Sequence, residues 1–341
     1  MKKTLPALAI LGAFAGAAQA QSSVTIYGSY DAGLRNQTNI DAAGNSRLSM
    51  GSNGTFSSNR LGFKGTEDLG GGLSANFVLE SGFNTGTGSL DNTATVLFNR
   101  SAWVGIGSKP WGSVNLGRQY SINFKTIADY DPFNYKYVAI IPLAAQGSLT
   151  RLNNDIQYNG IFGGLTVRAE YALGEQTGSA SNGSAQALGV SYAGGPFSAG
   201  MAYTQRKNAV GTLFADQKNW TVGGAYDAGS FRIAGGYADN KQATGTAAID
   251  TRIKDGWIGG SYKVSPAMGL TVAYYRTQFS AATGNTDGRR NMLMVGGTYA
   301  LSKRTNFYAD IDNAKFNGTA TTLSTGQSNR TAVSVGINHL F

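Results

Sequence analysis

Leu165-Thr166-Val167-Arg168-Ala169-Glu170-Tyr171-Ala172-Leu173 alternates without a break. Leu165, Val167, Ala169, Tyr171 and Leu173 share one face, and Thr166, Arg168, Glu170 and Ala172 share the other. A period of two marks a strand with one apolar face and one polar or small face. The pattern recurs along the chain. Phe197, Ala199, Met201 and Tyr203 oppose Ser198, Gly200, Ala202 and Thr204. Phe231, Ile233, Gly235 and Tyr237 oppose Arg232, Ala234, Gly236 and Ala238, and Phe307, Ala309 and Ile311 oppose Tyr308, Asp310 and Asp312. A soluble sandwich alternates in the same way. Three features point instead to a membrane barrel, apolar outside and polar inside.

The first is number and length. Sixteen such segments are expected, from Ser23–Leu34 to Asn329–Phe341, and many have the roughly ten residues that a tilted membrane strand needs. The second is the connections. Even strands end in short turns such as Leu69-Gly70-Gly71-Gly72, Lys109-Pro110-Trp111 and Ala228-Gly229-Ser230. Odd strands end in longer polar loops such as Asn36–Ser57, Glu175–Ser184, Lys241–Lys254 and Phe316–Ser328. Short turns at one end and long loops at the other are the outer-membrane barrel arrangement. The third is an aromatic level near the short turns: Tyr158, Tyr192, Tyr226, Tyr262 and Tyr299, with Phe197, Phe231 and Phe307 opening later strands. Strand propensity alone enriches aromatics, but their recurrence at one level reads as an interfacial girdle.

One connection differs from the rest. Ser121 to Thr150 shows no clean period of 2 or 3.6, yet it carries Phe124, Tyr130, Phe133, Tyr135, Tyr137, Ile140 and Ile141. Long structureless inserts are uncommon in compact domains and are usually functional or disordered, and this one is too apolar for a disordered linker. It is expected to pack inside something large enough to hold it.

The beginning of the chain reads as an export signal. Lys2 and Lys3 supply the positive start, Leu5 to Phe14 the apolar middle and Ala18-Gln19-Ala20 the small-residue cleavage site. The apolar run is too short to span a bilayer. The expected division is a signal peptide over 1–20 and a barrel over 21–341, and loss of Lys2 and Lys3 lowers the formal net charge from +9 to +7. There are no cysteines, one histidine and 48 glycines against six prolines, so no disulfide supports this exported chain. The cations are scattered singly along strands, which argues against a nucleic-acid partner.

Several short motifs carry a resemblance. They are Val24-Thr25-Ile26-Tyr27-Gly28, Asn59-Arg60-Leu61-Gly62-Phe63-Lys64-Gly65-Thr66-Glu67-Asp68-Leu69-Gly70, Phe98-Asn99-Arg100-Ser101-Ala102-Trp103-Val104-Gly105, Leu116-Gly117-Arg118-Gln119 and the terminal Gly336-Ile337-Asn338-His339-Leu340-Phe341. In this order, after a signal peptide, the chain resembles the general porins of the Gram-negative outer membrane, of the betaproteobacterial type. The resemblance covers the whole mature chain. It implies an all-β, 16-stranded antiparallel transmembrane barrel that assembles as a homotrimer, with a third long loop, 121–150, folded into the lumen. That loop departs from the enteric relatives: where they carry Pro-Glu-Phe-Gly-Gly, this chain has Asp131-Pro132-Phe133-Asn134-Tyr135. The expected surroundings are outer-membrane lipid and lipopolysaccharide. The C-terminal strand ending in Phe341 looks like the signal read by the barrel insertion machinery.

Strand parity gives the pore. With Leu61 and Phe63 outward, Arg60 and Lys64 face the lumen. With Trp103 outward, Arg100 faces inward with Ala102 and Val104. With Ile156 and Tyr158 outward, Arg151 faces inward. The resemblance makes Arg60, Arg100 and Arg151 a wall ladder facing loop acids, for which Asp129 and Asp131 are the candidates. Opposed rings of charge across a narrow wet gap set ion preference. The lumen-facing charges nearly balance, so position decides, because charges more than about 8–10 Å away are screened. A mild anion preference is expected. Arg118 shares parity with Val114 and Leu116 and should not face the lumen if its strand stays regular; the resemblance puts it at the rim between subunits, with Ser101 and Gly105 as small outward residues.

Other functions are harder to support. His339 lies on the apolar face of the last strand, so a Ser-His-Asp site has no base. Cys and His clusters for a metal are missing, and Gly70-Gly71-Gly72 opens no helix that could cradle phosphate. Asp310 and Asp312 read as solvated wall carboxylates. No cofactor is expected. The reading is an outer-membrane channel for passive diffusion of small hydrophilic solutes and ions. The alternatives are a substrate-selective channel with inward aromatics at Tyr27 and Tyr308, and a plugged structural barrel.

Overall fold

Each strand of the chain runs back beside the one before it, and the last closes on the first. A computed structural model describes residues 23–50, 54–92, 94–137, 150–243, 250–281 and 287–341. The expected leader, residues 1–20, lies outside these, as does the part of the long loop over 138–149.

The strands are β1 (Ser23–Gln37), β2 (Arg47–Met50), β3 (Arg60–Gly70), β4 (Leu73–Gly82), β5 (Ser101–Ser108), β6 (Gly112–Tyr120), β7 (Arg151–Phe162), β8 (Leu165–Ala172), β9 (Ala185–Gly194), β10 (Phe197–Val210), β11 (Leu213–Ala228), β12 (Phe231–Gln242), β13 (Thr251–Lys263), β14 (Met268–Ala281), β15 (Gly288–Ala300), β16 (Thr305–Gly318) and β17 (Asn329–Leu340). All pairings are antiparallel between neighbours. β1 pairs with β17 from Ser29↔Leu340 to Gln37↔Ala332 and with β3 from Ser23↔Thr66 to Ser29↔Arg60. The result is a closed barrel of sixteen strands; β2 is a four-residue addition inside the expected Asn36–Ser57 loop, laid on the end of β1. Closure leaves no unpaired edge, which a lipid environment requires. No helix among the described residues is long and apolar enough to cross a membrane.

The alternation sorts side chains as expected on most strands. Leu188, Val190, Met201, Val222, Ile233, Val272 and Val295 are exposed on the outside, while Ala202, Thr204, Thr221, Ala234, Ala273 and Asp255 are buried on the inner wall. The aromatic level is present: Phe197 faces Tyr226 across the strands, Phe231 faces Tyr262 and Tyr299 faces Phe307. The first two pairs have ring centroids 4.7 and 4.4 Å apart. All six rings are exposed, as a girdle at a membrane interface would be.

Two strands depart from the expected parity. On β5 the outward residues are Val104 and Ile106, so Trp103 faces inward beside Lys64 and Asn115. Ser101 is buried on the same inner face, and Gly105 points inward too. The strand begins only at Ser101, and an alternation counted from Leu97 is out of step by one residue. Between β6 and β7 the register slips: Gly117 pairs with Asp155 but Gln119 pairs with Leu152. Arg118 therefore opposes two residues, Asn153 and Asn154, which is a β-bulge. Gly117 has φ +135° and Asn154 φ +52°. A Cβ on Gly117 would stand 2.2 Å from the Ala102 carbonyl oxygen, so only glycine fits.

The long loop enters the barrel as a helix rather than as the aperiodic run expected. Helix α1 (Ile122–Tyr130) follows Ser121, whose hydroxyl accepts from the Phe124 N–H as an N-cap. Its buried residues are Ile122, Asn123, Thr126, Ile127 and Tyr130. They share one face, but Asn123 and Thr126 meet a polar wall, so hydrophobicity alone hides the helical period. The wall makes room with glycines. A Cβ on Gly223 would meet the Tyr130 ring at 2.6 Å, and one on Gly189 would meet Ile122 at 2.4 Å.

Candidate functional site

Bonds at both ends hold the loop across the lumen. At its start, the Ile122 N–H donates to the Glu170 carboxylate on β8, at 3.1 Å to Oε2. At its far end, Trp257 Nε1 donates to the Tyr130 carbonyl at 3.0 Å, and the Tyr275 hydroxyl donates to Asp131 Oδ1 at 2.6 Å. The Tyr137 N–H donates to the Phe56 carbonyl at 2.6 Å. Phe56 is itself fixed from β1, because Asp31 accepts from the N–H groups of Thr55, Phe56 and Ser57. Phe56, Phe133, Tyr137 and Tyr308 then form one aromatic cluster on the inner wall.

Between this loop and the wall of β3 to β7 lies a cavity of about 870 Å³. Five cations line it: Arg60, Arg100, Arg118, Arg151 and Lys136. Two carboxylates line it, Glu80 and Asp91, and both belong to Arg100. Arg100 Nε donates to Glu80 at 2.7 Å, and its NH1 lies 3.9 Å from Asp91. Arg100 NH2 and Arg151 NH2 each donate to the Tyr120 hydroxyl at 2.8 Å. The Arg151 guanidinium also stacks on the Tyr120 ring, 4.4 Å from its centroid. Tyr120 in turn stacks on Phe124 of α1. The ladder is thus braced against the helix that faces it.

Arg60, Arg100 and Arg151 line one cavity as the sequence suggested, though for two of them the reason differs. The bulge at Asn153 and Asn154 breaks the alternation from Ile156, so Leu152 is buried and Arg151 reaches the cavity through Tyr120. Arg100 is the other. It precedes β5, and its backbone N–H donates to the Glu80 carbonyl, so its direction is set by Glu80 rather than by alternation. Lys64 is not with them. It points into a separate space lined by Thr25, Asn76, Trp103 and Asn115, four residues nearer the short turns. Arg118 lines the arginine cavity from the upper edge of the wall, where the bulge lies. Its Nε donates to the Asn99 carbonyl at 2.7 Å, and its NH1 donates to Asn153.

The loop acids do not face the ladder. Asp131 is fully buried and bonds to Tyr275 and to the Tyr135 N–H, on the far wall. Burial pushes its carboxyl up to about 6. Asp129 keeps an exposed surface and neighbours Arg168 and Arg232; partial desolvation beside the wall raises its pKa, and those two cations oppose the rise. Neither lines the cavity. What the loop presents to the arginines is Lys136, whose Nζ donates to Ser57 at 3.3 Å. Burial, then the Arg60 guanidinium, lowers its pKa to about 8. Sequence reading missed Lys136 because it fixed on acids; the one available signal was its place beside Phe133, Tyr135 and Tyr137. Asp310 and Asp312 are not free wall carboxylates either: Arg35 bridges them at 3.4 and 2.5 Å.

Comparison with known proteins agrees with this geometry. Residues 7–319 match a family model described as Gram-negative porin. The chain is 34% identical to outer membrane porin protein 32 of Delftia acidovorans and 32% identical to an outer membrane porin protein of Bordetella pertussis, in both cases over the full length of both chains. Among solved structures, an anion-selective porin from Comamonas acidovorans superposes with a TM-score of 0.80 at 30% identity, covering 94% of this chain and all of that one.

Proposed function

The chain belongs to the Gram-negative porin family and is an outer-membrane channel for passive diffusion of small hydrophilic solutes; from that premise we propose that it prefers anions and that Arg60, Arg100 and Arg151 set the preference. One observation carries this reading. Five cations and two carboxylates line the space between loop and wall, an excess of three positive charges. Rings of charge at a constriction select ions, and at such separations screening is weak. Arg118 adds charge at the upper edge and Lys136 from the loop. Lys64 is a second, lower station. Asp131 holds the loop to the far wall, and Asp129 lies near Arg168 and Arg232, outside the lining of the arginine cavity.

The structure found similar at 30% identity is described as anion-selective, which supports the same sign for this chain. The test is the reversal potential across a salt gradient in a planar bilayer. A potential of anion sign, reduced in Arg60→Ala and Arg151→Ala, is expected. A cation-preferring wild type would overturn the reading.

The remaining parts follow from the same premise. Met1–Ala20 is a cleaved export signal. The described part of the 121–150 connection, residues 121–137, forms the constriction loop, and deleting 122–137 enlarges conductance. The protein is a homotrimer, in keeping with the exposed aliphatic outer faces of the early strands: Leu61, Val104, Ile106 and Leu116. Its outer surface is bathed in lipid and lipopolysaccharide, and the strand ending in Phe341 is read by the insertion machinery.

A further inference from the structure

Trp103 turns its indole toward the lumen low on the wall, and nothing in the fold uses it. The other inward tryptophan, Trp257, is buried and donates its N–H to the Tyr130 carbonyl. Trp103 is only half-buried, and its N–H has no partner among the described residues. Its direction follows from register. The Tyr27 hydroxyl donates to Glu80 at 3.0 Å inside the barrel. Two residues nearer the short turns, the same parity gives one inward row across neighbouring strands: Thr25, Lys64, Val78 and Trp103. The next inward row is Ser23, Thr66, Asn76, Gly105 and Asn115. Strands lie about 4.8 Å apart, so Lys64 and Trp103 flank Val78 with about 10 Å between their Cα atoms.

The two rows line a space of about 400 Å³. Among the described residues that line it, Lys64 is the one charge. Its Nζ rests 5.4 Å from the centroid of the Tyr27 ring, and among the described residues no carboxylate lies within 4 Å of it. Gly105 opens the floor. A Cβ there would stand 2.2 Å from Asn115 Oδ1, so the Asn115 amide lies across the bare backbone. That amide has no side-chain partner among the described residues. Asn76 on the other side is oriented: its Oδ1 accepts from the Thr66 hydroxyl at 2.9 Å, and its Nδ2 donates to Ser74 Oγ at 3.1 Å.

Each part selects one feature of a solute. A single unpaired ammonium takes one anionic group, through charge-assisted hydrogen bonds. A half-exposed indole takes a ring whose C–H bonds meet its negative face. Two side-chain amides with neighbouring hydroxyls take several hydroxyl groups, and such a site disfavours an analogue without them, because its own polar groups are then left unpaired. An aromatic carboxylate leaves the amides unmatched, a nucleotide brings more charge than one lysine meets, and a neutral sugar leaves Lys64 unused. We propose that Lys64, Trp103, Asn76 and Asn115 form a weak binding station for cyclic polyhydroxylated monocarboxylates, the uronic acid class. The proposal rests on the reading of the chain as an anion-preferring channel and deepens it. Anions that have passed the arginine cavity meet this station next, and it retains one class among them while transport stays passive.

The test records current through the full mature chain in a planar bilayer, with sodium chloride on both sides and D-glucuronate added on the short-turn side. Glucuronate is expected to lower the current along a saturating curve. Trp103→Ala should raise the half-blocking concentration by about fivefold or more, and Lys64→Gln by about tenfold or more. Cyclohexanecarboxylate keeps a ring and the charge but lacks the hydroxyls, and glucose lacks the charge; each should block wild type about tenfold more weakly or worse. A response to glucuronate that does not saturate would overturn the proposal. So would equal block by cyclohexanecarboxylate, or equal block of wild type and Trp103→Ala. The reversal potential of Trp103→Ala in simple salt should match wild type. A channel that prefers anions but shows no saturable block refutes this station alone, whereas a cation-preferring or silent wild type refutes the reading beneath it. If Trp103→Ala fails to assemble, Trp103→Leu and Asn115→Ala are measured in its place. A rise of about threefold or more in the half-blocking concentration is expected in each, and no rise in either would refute the site.

Discussion

Arg100 and Arg151 share one acceptor: the Tyr120 hydroxyl takes a hydrogen bond of 2.8 Å from each guanidinium. Two cations held so close repel. The repulsion at Arg100 is relieved by Glu80 and Asp91, while Arg151 has the Tyr120 ring face beneath it. The three wall arginines are therefore unequal. Arg100 is paired with two carboxylates and braces the wall as well as adding charge, Arg151 is held by the Tyr120 ring and hydroxyl, and Arg60 has no carboxylate within 4 Å among the described residues.

This inequality predicts how substitutions separate. Arg60→Ala should move the reversal potential toward zero and leave stability within about 0.5 kcal/mol. Arg100→Ala leaves Glu80 buried without its partner and should cost about 3 kcal/mol as well as shifting selectivity. Reversal potentials together with the midpoint of denaturant unfolding check both. Equal destabilisation by the two substitutions would contradict the assignment.

Lys136 makes the selectivity depend on pH. Burial and the Arg60 charge hold its pKa down at about 8. A lowered lysine loses its proton as pH rises through that value, so the cavity loses one positive charge between pH 7 and 9. Anion preference should weaken over this interval in the wild type. Lys136→Met should show the weaker preference already at pH 7 and no further change up to pH 9.

Asp131 should give the loop a second pH dependence, at lower pH. Its pKa is raised from 3.8 to about 6, chiefly by burial. A carboxyl that binds its proton more tightly in the folded than in the unfolded state stabilises docking fully below the unfolded value, and the contribution is lost as pH rises through the folded one. Loop docking should weaken by roughly 3 kcal/mol at most between pH 4 and 7. Hydrogen exchange of the amides of 122–137 should accelerate accordingly beyond the intrinsic pH effect. In Asp131→Asn the extra acceleration should be absent.

The seam between the first and last strands rests on Phe341. The Gly28 N–H donates to the Phe341 carbonyl at 3.0 Å, and the Phe341 N–H returns a bond of 3.3 Å to Gly28. A Cβ on Gly28 would sit 2.3 Å from the Phe341 ring. Gly28→Val should therefore displace the ring and act like deletion of Phe341, each lowering the yield of heat-dissociable assembled protein on a gel by severalfold. Unchanged yield in either variant would show that the seam does not depend on this contact.

The period of two was legible from the residues alone, and with it the strands, the outward apolar faces, the aromatic level and the ends carrying short turns. Side-chain direction in a strand is a local property, so alternation reports it directly. The direction of the side chains that line the arginine cavity was not local. A break before Ser101 put Arg100 under the control of Glu80 and turned Trp103 inward. A bulge at Arg118, which needs Gly117 at φ +135°, put a further cation at the edge of the same cavity. The polar side of the lumen hid the period of α1, because Asn123 and Thr126 count as buried there. Which loop residue meets the arginines depended on where Asp131 found its partner, Tyr275, 144 positions along the chain. Alternation fixes which way a residue points within its own strand; only closure of the barrel around the loop determines what stands opposite it.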